Sequence, residues 1–194
     1  MKTLRIDEEY PGIQQSENGH FYIDNFLKYD GDIIISLPCD IDIWGDLIAG
    51  GSIVIDPDSE LLCKGDIVAK GDLVACGSIV ALGGIDVGGN IESNQDIFSY
   101  GSIRAGGGIS AGGDLIAHRS ITSGEFIDVG MGIMSGKHGG DLEAGMDIKV
   151  KGEMTVLGDI KIKGEEYTNW TTEEQPANVF SRIFGGGKLN GHIE

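Results

Sequence analysis

The sequence predicts an all-β protein: a three-sided parallel β-helix, or β-solenoid, of hexad repeats, about seven turns long with caps at its ends. Three observations predict it. An aliphatic side chain recurs every six residues from Leu61 to Ile133, thirteen times without a slip. A small or β-branched residue usually stands two places after it, as in Ala69, Ala75 and Ala81. Glycine, 33 residues of 194, most often stands two places before it, as in Gly65, Gly71 and Gly77. A period of six keeps no single helical face, and so much glycine would be costly in helices.

The elements follow in order. Residues 1–30 carry Phe21, Tyr22, Ile23, Phe26 and Leu27 and read as an N-terminal cap over the first rung. Residues 31–164 hold the hexads, beginning at Ile33, Ile41, Leu47 and Ile53 and ending at Leu142, Ile148, Met154 and Ile160. Two-residue insertions near Leu37-Pro38 and Pro57-Asp58 lie three units apart. Three units per turn stack both at one corner, which sets three sides and an 18-residue turn. A further insertion at Lys137-His138-Gly139 falls at a different corner. Alternation along each short strand turns the aliphatic residue and the one two places on inward. Ile67, Ile85, Ile103 and Ile121 should therefore stack on one inner face, and Cys63 should point inside. The repeat glycines are expected to turn the chain with positive φ. Residues 165–194, with Trp170, Phe180, Ile183 and Phe184, read as a C-terminal cap or tail.

Threefold folding also maps the outside. One face gathers the units centred on Ile41, Leu61, Ile79, Ile97, Leu115, Ile133 and Met154. Its outward row contains Leu62, Val80, Phe98, Ile116 and Met134, an apolar stripe of the kind that marks an interface. The row just before the aliphatic position is acidic: Asp40, Glu60, Asp96 and Asp114 on this face, with Asp46, Asp66 and Asp72 on its neighbours.

The formal charge is −17, and thirteen of the acids precede residue 65 against four bases. That balance opposes direct binding to nucleic acid or to an anionic membrane and permits a basic protein partner. No signal peptide or long apolar run is legible, so the expected compartment is the cytoplasm. Cys39, Cys63 and Cys76 have no metal-ligand spacing, and no catalytic, cofactor or metal site is expected. His118 at a corner and His138 in the last insertion are the only candidates for acid–base chemistry, and neither has a carboxylate assignable from sequence. Gly106-Gly107-Gly108 lacks the Lys-Ser/Thr of a phosphate loop, and the nine-residue calcium repeat is absent.

The unit Gly-x-Ile/Leu-x-Ala/Ser/Val-x, clearest at Gly65–Ser78 and Gly152–Gly164, resembles the repeat of bactofilins, bacterial cytoskeletal proteins. The resemblance covers residues 31–164 and implies a right-handed three-sided β-helix that scaffolds other proteins and polymerises end to end without nucleotide. This chain differs in its more uniform hexads, its acidity and its cap-like C-terminal segment. The functional expectation is a non-enzymatic scaffold that forms a homo-oligomer or binds a protein partner through the stripe. One alternative is an acidic nucleic-acid mimic, such as a phage anti-defence protein, held in a basic cleft. A second alternative is a phage structural fibre.

Overall fold

The computed structural model describes residues 2–56, 59–136 and 140–162. The chain winds through three sheets in turn, called A, B and C here, and adds one short parallel strand to each on every circuit. Among the described residues sheets A and C have eight strands and sheet B has nine, which makes eight turns of coil. No helix occurs among the described residues. Sheet B carries Phe21–Ile23, Ile41–Ile43, Leu61–Cys63, Ile79–Ala81, Ile97–Ser99, Leu115–Ala117, Ile133–Ser135 and Met154–Val156, and the antiparallel Gln14–Gln15.

The eighth turn lies at the N-terminus, inside the stretch expected to be only a cap. Phe21 pairs in register with Ile41, and Leu27 with Leu47. The hexad spacing from Phe21 through Leu27 to Ile33 is intact, but an aromatic residue holds the first repeat position and hides it. Thr3–Ile6 completes this turn by pairing with Asp32–Ile35 in sheet A. Only residues 7–20 leave the coil. They turn through hydrogen bonds from the Tyr10 amide to the Asp7 carbonyl and from the Ile13 amide to the Tyr10 carbonyl. They return as Gln14–Gln15, antiparallel to Phe21–Ile23. Tyr10 and Ile13 pack partly buried against the core, and Gln14 receives the Tyr22 hydroxyl at 2.8 Å. The cap is therefore this shorter excursion, and residue 30 is no boundary of the coil. The expected C-terminal cap, 165–194, lies outside the described residues.

Each strand follows the alternation rule, with its first and third side chains inward. Ile67, Ile85, Ile103 and Ile121 stack in register on sheet C as expected and are all essentially buried. On sheets A and B the second inward position tracks turn size, while sheet C already has Ala49 there. Ile41 and Leu61 are partners twenty residues apart, and the wider turn between them holds Ile43 and Ile55. From Leu61 to Ile79 the turn shortens to eighteen, and the same position becomes Ala69, Ala75 and Ala81. The first insertion contributes its own core residue, Leu37, whose carbonyl accepts the buried Ser59 hydroxyl at 2.8 Å. Serines that replace alanine further along, such as Ser93, Ser99 and Ser123, donate to carbonyls one turn back. A buried hydroxyl so paired costs little.

The repeat glycines do not have the positive φ expected of them; among the described residues only Gly19 and Gly136 do. The reason for glycine is space. A Cβ on Gly65, Gly83, Gly89 or Gly113 would fall on the Oδ1 atom of Asp46, Asp66, Asp72 or Asp96, reaching up from the turn before. The Gly-Asp dipeptide is thus one device repeated turn after turn: the aspartate of one turn occupies the space left by the glycine of the next.

Candidate interaction surface

The acidic residues singled out in the sequence have a structural use. Asp46 Oδ1 accepts the Asp66 amide at 2.9 Å, and Asp66 Oδ1 accepts the Gly84 amide at 2.6 Å. Asp72 does the same for Asn90 at 2.8 Å, and Asp40 for Glu60 at 3.1 Å. Asp96 and Asp114 each accept the amide one turn on at 2.7 Å. Glu60 is the exception, because its longer side chain is not used in this way. Ser52, Asn90 and Ser120 fill the same row and accept the same kind of amide without charge. The row selects an oxygen at the right reach. It does not require a negative charge. One Asp, Asp141, is further held by Lys161 at 3.2 Å. The Asp159 amide first, and then Lys161, keep its carboxyl below the usual carboxylate range.

The five apolar residues of the stripe stand side by side on the outer face of sheet B. Leu62 is the register partner of Val80, Val80 of Phe98, Phe98 of Ile116 and Ile116 of Met134. The first four are half-buried by their neighbours along the column, and Met134 is exposed. The other sheets start alike and then diverge. Sheet A presents Ile34, Val54 and Val74, then Glu92, Ser110, Asp128 and Lys149. Sheet C presents Ile48 and Val68, then Asp86, Arg104, Thr122, Glu143 and Lys161. Strand propensity acts equally on all three faces, so it does not account for one face alone staying apolar.

A second column borders this face and was not legible in the rows read from sequence. It lies three places after the aliphatic residue, at the corner between sheets B and C, and contains Trp44, Lys64, Leu82, Tyr100 and His118. Trp44 stacks on Tyr22 with ring centroids 5.2 Å apart, and the Lys64 ammonium sits 4.3 Å from the Trp44 ring on the next turn. Tyr100 meets Phe98 edge-on at 5.0 Å and His118 at 4.4 Å, which joins the corner to the stripe. Trp44, Leu82 and Tyr100 are still about half exposed. The sequence signal was present as a spacing of 18 or 20 residues between bulky side chains, at a position usually filled by glycine, lysine or asparagine on the other two corners.

His118 is therefore part of an aromatic cluster, and His138 lies outside the described residues. Cys63 is buried in sheet B, where its thiol donates to the Gly45 carbonyl at 3.1 Å. Burial pushes that thiol up to about 11. Among the described residues, no group of three or more His, Cys, Asp or Glu could hold a metal ion. No helix among them is long and apolar enough to cross a membrane. Comparison with protein-family models, with curated proteins and with solved structures finds no match.

Proposed function

We propose that this chain is a non-enzymatic scaffold whose outer sheet B face is an association surface. The observation that carries the reading is the contrast between faces: beyond Ile85 the outward residues of sheets A and C are polar, while sheet B keeps Phe98, Ile116 and Met134. The exposed corner aromatics widen that face. Aromatic and methionine side chains are the types enriched at interfaces.

The N-terminal end supports side-by-side association over end-to-end growth. Open sheet edges are where solenoids add to one another. Here Gln14–Gln15 covers the edge of sheet B in the wrong direction for a continuing parallel coil. Tyr10 and Ile13 pack against the core beside it. The scaffold role resembles that of bactofilins, with lateral contact in place of a filament, and a cytoplasmic setting fits it. The ladder aspartates each accept a backbone amide of the next turn, which gives them a structural use apart from mimicry, and nothing observed favours a phage fibre.

The test is light scattering coupled to size exclusion, from low to high micromolar protein, on the full chain and on Phe98→Glu with Ile116→Glu. The reading expects a concentration-dependent mass above the monomer and its loss in the double variant, with unchanged circular dichroism. A monomer at every concentration, or association unaffected by both charges, overturns it.

A further inference from the structure

Across sheet B, three turns set an oxygen acceptor at one corner and a hydrogen-bond donor at the other. The acceptor immediately precedes the strand and the donor immediately follows it. Asp40 is matched with Trp44, Glu60 with Lys64 and Asp96 with Tyr100. Ser78 with Leu82 interrupts the series, and Gly132 with Gly136 and Glu153 with Leu157 do not continue it. Between the two columns runs the apolar one. The ladder aspartates accept from the coil through Oδ1, and Asp40 Oδ2 lies 3.9 Å from His20 Nε2.

Such a face is self-complementary under one symmetry. A twofold axis lying in the interface and parallel to the rod turns left into right and keeps each turn at its own height. The acceptor column of one copy then meets the donor column of the other, turn for turn. Every apolar residue meets itself, Phe98 against Phe98 and Ile116 against Ile116. A twofold across the rod does the opposite. It sets the acid corner against the acid corner, with Asp96 facing itself and Asp40 facing Glu153, which is unfavourable. Closed twofold contacts are the commonest way identical chains associate.

We infer that the occupant of the sheet B face is a second copy of this chain, with the two rods side by side and parallel. The inference rests on the association reading above and gives it a partner and a geometry. Six turns of about 4.8 Å, from Leu62 to Thr155, and five residues of about 3.3 Å give roughly 480 Å² of flat face per copy. Roughly 1,000 Å² for the pair is the lower bound of a specific interface, which fits a reversible dimer. Asp42, outward on the turn above Leu62, would face its own copy and sets the N-terminal limit of close contact.

The experiment uses the full chain with Cys39, Cys63 and Cys76 changed to serine, and adds Val80→Cys or Ile116→Cys. A short bismaleimide is the probe. Parallel rods cross-link each variant to itself, and a mixture of the two gives no preference for the mixed product. Cross-links only between Val80→Cys and Ile116→Cys chains mean antiparallel rods; that overturns this inference and leaves the association surface standing. A dimer by light scattering that neither position cross-links overturns both. A second arm needs no cysteine. Glu60→Lys should raise the dimer dissociation constant about tenfold, and adding Lys64→Glu should restore it. Failure of the second change to restore affinity also overturns the parallel arrangement.

Discussion

Changing Asn90 and Gly107 to alanine, singly and together, isolates the device that joins one turn to the next. Asn90 Oδ1 accepts the amide of Gly108 at 2.8 Å. Gly108 is buried beneath the Phe126 ring, so water cannot readily replace the lost acceptor. Asn90→Ala should cost about 1–2 kcal/mol, the range for a buried amide left unpaired. In Gly107→Ala the new Cβ lands on the same Oδ1 atom. The amide group must swing away, which loses the bond and forces a poorer rotamer, for about 2–3 kcal/mol in all. In the double variant the obstructing oxygen is gone. The nearest remaining atom is the Gly89 carbonyl carbon at 3.3 Å, a close contact that needs only a small shift. The double variant should then cost little more than Asn90→Ala alone, a coupling of about 2 kcal/mol. Urea unfolding followed by circular dichroism measures all four proteins. Strict additivity would refute the idea that the glycine exists to seat the side chain of the turn before.

The other predictions concern the core, the ladder and two titrating groups. Ile103→Asp places an unpaired carboxylate at a fully buried site and should abolish cooperative folding, while Ile103→Ala should cost about 2–4 kcal/mol, both by thermal melting. Asp40, Asp46, Asp66, Asp72, Asp96 and Asp114 changed together to asparagine should leave the melting temperature within a few degrees, because Asn90 already works in that row; a collapse of the fold would mean that charge itself is required. Cys63 has its folded pKa raised from 9.0 to about 11, so stability should be intact below pH 9.0 and fall as pH rises toward 11. Cys63→Ser should remove that slope and keep the fold, since Ser99 and Ser135 hold the same inner row of sheet B. The Asp141 carboxyl is held below its ordinary value, so its contribution is present above the usual carboxylate range and is lost as acid titrates the folded group. Asp141→Asn should flatten the acid limb of the stability curve.

The periodic part of the sequence was enough for the number of sides, the phase of the insertions and the identity of the stacked isoleucines. Each of these rests on side chains that repeat because every turn meets the same neighbours. Two features escaped because their logic lies between turns. The first turn escaped because Phe21 stands where an aliphatic residue was expected and because residues 7–20 separate Thr3–Ile6 from the rest of that turn. The role of the repeat glycines escaped because an aspartate eighteen or twenty residues earlier, and not the local φ, dictates them. Much the same holds for the surface. Leu62 through Met134 could be read as a column once the period was folded in three. The Trp44–His118 corner was missed, since the same repeat position holds glycine at many turns of the other two corners and its coherence depends on ring contacts such as Tyr100 with His118 at 4.4 Å.

The most direct test of the account is small-angle X-ray scattering of the full chain above and below the concentration at which it associates. Eight turns of about 4.8 Å make a short rod, so the two modes of assembly change its shape differently. Side-by-side contact through sheet B predicts that the cross-sectional radius grows on association while the maximum dimension barely changes. A maximum dimension that doubles at constant cross-section would mean end-to-end contact and would contradict the account.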